Sequence, residues 1–255
     1  MKISQEIDRL VIAVHRGVTT LHRPRLQEMA TSIGVLSPGH FYDLAEFVAG
    51  AACTVELAER RFRYEADNTA GALIAGLHHR ELIGDKLRPA EPLGEVLATI
   101  LQWRADVATN LWGTDLSTAN AGAADALLRA SGPVTEVFRS LPEPASPAHL
   151  LHHRLTGLRY ARLDAHMAVW EDADLTVAEI VALTSAVAIE PVSPAPDGLV
   201  ARRWLTRHGV ATSQGHAARS KIEAQTDARC DALFRAVDDL QEWRATMRSL
   251  APHTG

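Results

Sequence analysis

The sequence predicts a mainly α-helical fold in which one arrangement of helices occurs twice, and three observations support this prediction. Of the 255 residues, 47% are hydrophobic and 5% aromatic; alanine and leucine are abundant, while runs of β-branched residues are short. Such a composition favours packed helices over sheets. Apolar residues also recur at three- and four-residue spacings, as in amphipathic helices. Finally, the two halves show the same order of predicted elements.

The N-terminal segment predicts three helices. In the first, Ile3–Leu21, the apolar residues form a narrow seam that suits a partner helix. A second helix, 25–33, ends at a glycine, and Ser37 with Pro38 begins a third. We expect the first helix to pack across a subunit or repeat boundary.

The following segment has the order helix, helix, turn, helix of a winged-helix core. Thr54 begins one helix, the polar run 67–69 breaks the chain, and a further helix follows. Residues 84–92 would form a short wing or loop, and Leu93–Trp112 a long closing helix. We therefore expect residues 1–139 to form an N-terminal winged-helix-like unit.

The proline-rich stretch 140–147, SLPEPASP, is the best linker in the chain. Its last two residues are a serine that can cap a helix and Pro147, which suits a first turn. They predict a helix of about twenty residues that ends near Trp170. Thr176 and Glu179 then have the spacing of a capping box, which predicts a second helix start.

The C-terminal residues complete a second winged-helix-like unit, 148–255. Gly209–Gly215 is the only place for a wing hairpin, and it is short. Apolar residues in His216–Leu250 have the spacing of one long helix. This terminal helix should pack against the N-terminal helix or, in a homodimer, against a second subunit.

An alignment of the two halves supports the duplication. FVAGAACTVELAERRF resembles MAVWEDADLTVAEIVAL, with Thr54 falling on Thr176. AGALIAGLHHRELI likewise resembles GLVARRWLTRHGVA, with Leu77 falling on Leu205. We therefore interpret the chain as two tandem, degenerate winged-helix units that have long terminal helices and short wings and that mimic a dimer.

The charge and the cysteine content argue against several classes of protein. The formal net charge is −5 and the pI is about 6.2, so the composition provides no general attraction to a phosphate backbone. We recognise no signal peptide, and no apolar run approaches the roughly 20 residues of a membrane span. We expect a cytoplasmic protein without a membrane partner, and we expect both cysteines, Cys53 and Cys230, to be plain core residues.

The predicted helix after the linker carries the densest polar chemistry. Arg162 and His166 lie on or beside the arc of its apolar residues, so they face the packing side. They extend to the surface, or pair with acids on a neighbouring element, or line a ligand site. Asp164 points to the other side, near Tyr160 and His153, so any site needs a second element.

Three histidines on the same helix, His149, His152 and His153, have spacings at which ligands of zinc or copper can share a face. No cysteine or carboxylate lies at ligand spacing nearby, so we expect an exposed polar face and no metal. Nucleophile-elbow, phosphate-loop, dinucleotide and His-Glu-x-x-His motifs are absent from the sequence, and we expect no cofactor.

Two stretches of the C-terminal half are distinctive, HHRLTGLRYARLDAHMAVWEDADLTVAEI and HGVATSQGHAARSKIEAQTD. Together they resemble a family of actinomycete helix-turn-helix domain proteins, distant relatives of the MarR-like winged-helix regulators. The family pattern has a histidine followed by Arg-x-x-Arg-Gly-Asp-Gly-His, and here Leu163 and Ala165 replace the two glycines. The family's closing helix carries Ile-Glu-x-x-Thr-Asp. The positions that match are His153, Arg159, Arg162, Asp164 and His166 on the first helix and Ile222, Glu223, Thr226 and Asp227 on the closing helix.

Residues and resemblance together favour a protein that binds a small, anionic metabolite. Arginines would hold the anion, and His166 can gain or lose a proton near neutrality, with Asp164 as a second catalytic candidate. Whether the protein only binds this ligand or also transfers a proton stays open. The candidate ligand-binding residues are His153, Arg159, Arg162, Glu223, Thr226 and Asp227. We expect Arg162 and His166 to line a cavity with Glu223 and Asp227.

The alternative is a MarR-like DNA-binding transcriptional regulator that responds to a small-molecule effector. Its candidate DNA-binding residues are Arg202 and Arg203, one turn after the start of the predicted recognition helix. The approach to that helix, IEPVSPAPDG, is acidic and is stiffened by three prolines. Nucleic acid is therefore the less favoured partner.

Overall fold

A computed structural model describes residues 2–32, 54–62 and 91–250 of the chain, together with positions 71, 74, 75, 77 and 83. Among these residues are ten α-helices, a short 3₁₀-helix and an isolated β-bridge between Leu205 and Ala211, which confirms a mainly α protein. The helices are α1 Ile3–Ser32, α2 Val55–Arg61, α3 Glu91–Trp112, α4 Ser117–Arg129, α5 Pro133–Arg139, α6 Pro147–Asp172, α7 Val177–Ala188, α8 Asp197–Ala201, α9 Ser213–Leu233 and α10 Leu240–Leu250. Among the described helices, none has the length and apolarity that crossing a bilayer requires.

The chain divides into two compact units. Unit 1 comprises Met1–Ala161 and Leu233–Gly255, and unit 2 comprises Arg162–Ala232. The predicted linker, 140–147, lies in unit 1 between α5 and α6. The tandem winged-helix organisation stays a prediction, since the helix expected from Ser37, the turn at 67–69 and most of the first wing lie outside the described residues.

In unit 1, α1 joins the two helices predicted for its sequence. A kink at His22, with φ −121° and ψ 16°, takes the place of the expected break, and the helix continues through Pro24 to Ser32. Proline has no N–H to donate to the preceding turn, which explains a kink at this point. The His22 ring stacks on Trp103 of α3, with ring centroids 4.1 Å apart. The predicted apolar seam is buried at Ile3, Ile7, Leu10, Val14 and Val18.

The prediction of one long C-terminal helix is wrong, because α9 and α10 are separate. The 3₁₀-helix Phe234–Ala236 follows α9, and Val237 is then extended. Asp239, at φ +43°, accepts a hydrogen bond from the Glu242 N–H at 3.0 Å and so caps α10. Aspartate is a preferred residue at such a cap. The apolar spacing that suggested one continuous helix arises because Phe234 and Val237, which lie between the two helices, are also buried.

The terminal helices α1 and α10 pack on each other, as predicted. Glu6, which is 3% exposed, accepts hydrogen bonds from Arg244 at 2.9 Å and from Arg248 at 2.8 Å. Burial alone would raise the pKa of Glu6, but the hydrogen bonds and charges of the two arginines outweigh it and lower the pKa. On the other side of α10, the Trp243 indole donates to the Ala119 carbonyl at 3.0 Å.

Both predicted helix starts in the second half are confirmed. Pro147 is the first residue of α6, which ends two residues beyond the predicted Trp170, at Asp172. At the start of α7, the Thr176 hydroxyl accepts from the Glu179 N–H at 3.2 Å, and the Glu179 carboxylate accepts from the Thr176 N–H at 2.8 Å. This reciprocal pair is the predicted capping box.

A single bridge between Leu205 and Ala211 closes a tight hairpin in unit 2, and α9 begins directly after it. Gly209 adopts φ +70° at its turn, where a Cβ would lie 1.8 Å from the Val192 carbonyl oxygen. Only glycine fits there. In the first turn of α9, a Cβ on Gly215 would lie 2.2 Å from the carbonyl oxygen of Trp204, so the hairpin packs tightly on the helix.

Candidate functional site

Within unit 2, α6 and α9 bring together most of the predicted ligand-binding residues. Arg162 and His166 are separated by about 40° on the α6 wheel and face α9. The Arg162 Nη2 donates to Glu223 Oε2 at 2.7 Å and lies 3.9 Å from Asp227 Oδ1. The second element that the sequence required is therefore α9. Arg162, His166, Arg219, Glu223, Thr226 and Asp227 are called the α6–α9 cluster below.

A hydrogen-bond network orients His166. Its Nδ1 lies 3.1 Å from the Thr226 hydroxyl, which donates its own hydrogen to the Ile222 carbonyl at 2.9 Å. A hydroxyl has one hydrogen, so Thr226 accepts from His166 and the neutral imidazole carries its proton on Nδ1. Glu223 Oε1, 3.7 Å away, favours the same tautomer. The lone pair of His166 is then on Nε2.

Arg219 and Thr184 belong to the same network but were not predicted. Arg219 forms a close ion pair with Glu223 Oε1, and its Nε donates to the Thr184 hydroxyl at 3.0 Å. Both carboxylate oxygens of Glu223 are thus paired with guanidinium groups. The spacing of Arg219 and Glu223, four residues apart on one helix, was the signal that could have identified Arg219.

Burial dominates the electrostatics of the cluster. Burial is the largest cause and lowers the pKa of His166 to about 4; the charge of Glu223 opposes this shift, and the charges of Arg219 and Arg162 add to it. Burial raises the pKa of Glu223, but the hydrogen bond and charge of Arg219 and the charge of Arg162 outweigh it, so the pKa is lowered. At neutral pH the cluster therefore contains a neutral imidazole and an ionised Glu223.

Solvent reaches one side of the cluster. The side chains of Arg162 and Glu223 are 29% and 31% exposed, whereas Thr226 is fully buried. Next to Asp227, Cys230 is also buried, and burial raises the pKa of its thiol to about 12. Cys230 is thus a core residue, as predicted, while Cys53 lies outside the described residues.

Three other predicted site residues lie elsewhere. In unit 1, Arg159 Nε donates to Asp8 Oδ1 at 2.7 Å, and the His153 ring stacks on Phe138 with centroids 4.6 Å apart. Asp164 belongs to unit 2 and is 5% exposed, but it lies on roughly the opposite face of α6 from His166. A role for Asp164 in proton transfer with His166 stays a prediction.

The exposed polar face predicted for the three histidines is wrong. His149, His152 and His153 are 8%, 1% and 6% exposed, because this part of α6 is covered on several sides. Burial lowers the pKa of His153 to about 4 and holds that of His152 well below its usual value, so both are neutral. In the part of the chain that the structure describes, no group of three or more metal-ligating side chains is placed to hold an ion.

Unit 2 also contains a cleft of about 440 Å³ between the C-terminal half of α6, α9 and the hairpin. Val169 and Ile222, each 3% exposed, form its apolar floor. Charged side chains and Trp204 surround them. The residues around the floor are Asp172, Ala173, Arg202, Trp204, Ala218, Lys221, Gln225, Ala228 and Arg229. Arg162 and His166 do not line this cleft, and the cavity predicted beside them stays a prediction.

The sequence profile of a helix-turn-helix family matches residues 88–254, more than half of the chain. The chain belongs to this helix-turn-helix family. The match includes every residue of the α6–α9 cluster and of the cleft. No curated protein and no solved structure matches the chain.

In helix-turn-helix proteins that bind DNA, polar side chains in the first turns of a recognition helix contact the bases. Here α8 has only five residues, and Arg202 follows it. Arg202 donates to the carbonyls of Ala173 at 3.1 Å and Asp174 at 2.7 Å, so it caps the end of α6. Arg203 is exposed and adopts φ +59°. Of the two predicted DNA contacts, only Arg203 is thus directed to solvent.

Proposed function

We propose that the protein binds a small anionic metabolite at the α6–α9 cluster. The observation that carries this proposal is the partly exposed Arg162 guanidinium, whose described hydrogen bond uses only Nη2. A guanidinium has five N–H donors in a planar fork, which matches a carboxylate or a phosphate. The remaining donors of Arg162 are therefore available to a ligand on the exposed side.

Arg219 allows an anion to bind beside Arg162, because it provides a second partner for Glu223. An anion that approaches Arg162 is repelled by Glu223, unless the carboxylate has another partner. Arg219 is that partner, because it holds Glu223 through Oε1 and is itself held by Thr184. Arg162 can then exchange Glu223 for the ligand without leaving a half-buried carboxylate unpaired.

Proton transfer is the activity that we propose would follow binding. A neutral His166 with a pKa of about 4 is a weak base in the free protein. A bound anion would offset the guanidinium charges that help to keep the imidazole neutral, and so would move the pKa of His166 toward neutrality. The lone pair on Nε2 would accept the proton. Binding itself does not depend on this step.

The test is a thermal-shift series with small mono- and dicarboxylates and inorganic phosphate, combined with native mass spectrometry of the purified protein. We expect at least one anion to raise the midpoint of the wild-type protein and to fail with Arg162→Ala, since the lost charge-assisted pair is worth about 1.5–3 kcal/mol. Arg207→Ala, which removes an exposed positive charge from the hairpin, should respond like the wild type. Equal responses of Arg162→Ala and the wild type would contradict the proposal.

Membership of the helix-turn-helix family favours a second candidate, a MarR-like regulator that binds DNA in the cytoplasm and responds to an effector. In this candidate, residues 1–139 and 148–255 would be tandem winged-helix units, with a possible homodimer through the terminal helices. Arg203 would contact DNA, whereas the capping contacts of Arg202 make it less suited to base readout. Sequence-specific retardation of DNA at about 0.15 M ionic strength, lost in Arg203→Ala, would establish this function.

A further inference from the structure

We propose that the cleft beside Trp204 is a second binding site, which takes a planar aromatic carboxylate. It is independent of the proposed function, since its lining residues do not include Arg162 or His166. The volume of about 440 Å³ lies within the range of small-molecule sites. The arrangement of an apolar floor, an aromatic wall and a cationic rim identifies the class of ligand.

The floor and the wall fit a flat apolar body. Val169 and Ile222 are each 3% exposed, so the floor offers dry aliphatic surface. The Trp204 indole stands beside it, and its ring is 5.4 Å from the Arg202 guanidinium carbon. An aromatic ring that enters the cleft would pack against the aliphatic floor and the indole, which together stabilise planar groups more than chains.

The wall is fixed before any ligand binds. The Trp204 carbonyl accepts a hydrogen bond from the Thr212 N–H at 3.0 Å, and the Thr212 hydroxyl donates to the neighbouring Arg203 carbonyl at 2.6 Å. The Trp204 carbonyl also packs against Gly215 at the start of α9, where a side chain would clash. Arg202 is held by the end of α6 and by the indole. A preorganised wall lowers the entropy lost on binding.

The charges on the rim select an anion. Arg202, Lys221 and Arg229 face a single carboxylate of the lining, Asp172. The Arg229–Asp172 pair, at 2.7 Å, is exposed at 46% and 70%, so it is weak and can open to a ligand. Arg202 is paired with the Asp174 carboxylate at 3.5 Å, but the Asp174 side chain is fully exposed, so this pair is also weak. Lys221 is exposed on the same turn of α9 as Ile222. A carboxylate beside Lys221 would place its ring over the floor.

The test is isothermal titration calorimetry of the full chain with 2-naphthoate, and with 2-naphthamide as the uncharged ligand of the same shape. We expect 2-naphthoate to bind with a dissociation constant below about 1 mM and 2-naphthamide to bind about tenfold more weakly. Lys221→Ala should weaken 2-naphthoate about tenfold, and Trp204→Leu should weaken both ligands. Arg207→Ala is the matched control for the loss of one positive charge.

Arg162→Ala separates this inference from the proposed function. It should leave 2-naphthoate binding unchanged if the ligand occupies the cleft. No saturable binding, equal affinities for the two ligands, or an unaltered affinity in Lys221→Ala would overturn the inference. Loss of binding in Arg162→Ala with no loss in Lys221→Ala would also overturn it, and would instead support the α6–α9 cluster. If duplex DNA competes with 2-naphthoate and binds less tightly to Lys221→Ala, the cleft contacts nucleic acid and the inference fails.

Discussion

His166 Nδ1 lies 3.1 Å from the Thr226 hydroxyl, and this one contact determines which imidazole nitrogen can act as a base. Thr226 cannot donate to the ring, because its hydrogen is bonded to the Ile222 carbonyl one turn earlier on α9. Thr226, which is uncharged and fully buried, thus orients the imidazole of His166. Residues that position a reactive side chain commonly act in this way.

The tautomer and the protonation of His166 can be measured directly. Long-range ¹H–¹⁵N spectra at pH 7 should show a protonated Nδ1 and an unprotonated Nε2 for this residue. On titration its resonances should shift with a pKa of about 4, since burial and the two arginines disfavour the imidazolium. A pKa of 6 or above would show that the packing around His166 is looser than described.

Thr226→Val should destabilise the protein by about 1–2 kcal/mol, because it leaves the Nδ1 proton of His166 without the buried acceptor that it has now. The valine has the same shape, so a cavity does not contribute. Thr118→Val on the exposed face of α4 is the matched control and should change stability by less than about 0.5 kcal/mol. Urea denaturation at pH 7 measures both variants, and equal effects would contradict the role of Thr226.

The two Glu–Arg pairs of α1 should differ in their contribution to stability. Glu6→Gln removes a charge that is 3% exposed and leaves Arg244 and Arg248 without it, which should cost about 2–3 kcal/mol. Glu28→Gln breaks a pair with Arg25 whose side chains are 66% and 62% exposed, and it should cost less than about 1 kcal/mol. Chemical denaturation of both variants provides the comparison.

The contribution of Glu6 should also depend on pH. Its pKa is lower in the folded protein, so its stabilisation is present above the usual carboxyl pKa of 4.5 and is lost as pH falls below it through the folded pKa. The difference in stability between the wild type and Glu6→Gln should therefore decrease in acid. A difference that does not change with pH would show that Glu6 acts only through packing.

His153 should make stability depend on pH in a higher window. Its pKa is about 4 in the folded protein and 6.5 in an unfolded chain, so the unfolded state binds more protons between these values. Stability should thus fall as pH decreases from 6.5 to 4, by about 3 kcal/mol from this residue. His153→Gln should show a shallower dependence, whereas His216→Gln, at an exposed position of α9, should match the wild type.

Local signals in the sequence predicted the starts of the helices well. Pro147 and the Thr176–Glu179 pair begin α6 and α7 as expected, because capping depends on residues within one turn. The same kind of signal was present at Asp239, which caps α10, but the apolar spacing continued across it. Where buried residues follow a helical spacing through a turn, periodicity alone cannot locate the break.

The site was predicted in part for a similar reason. Arg162 and His166 could be placed on the packing face from the helical wheel, and α9 carries the partners that this face required. The burial of His152 could not be predicted, because it depends on side chains such as His15 and Trp112 that are distant in the sequence. Long-range packing overrides the tendency of histidine to be exposed.

The reactivity of the Cys230 thiol can report how often α9 moves away from its neighbours. A maleimide reacts with the thiolate, and a buried thiol with a pKa of about 12 reacts only when the helix moves away from its neighbours. In a Cys53→Ser background, the labelling rate would therefore measure how often this part of the chain opens. Any compound that binds the closed form must slow the labelling in proportion to its occupancy. The labelling rate of Cys230 can therefore be used to screen for the unidentified ligand.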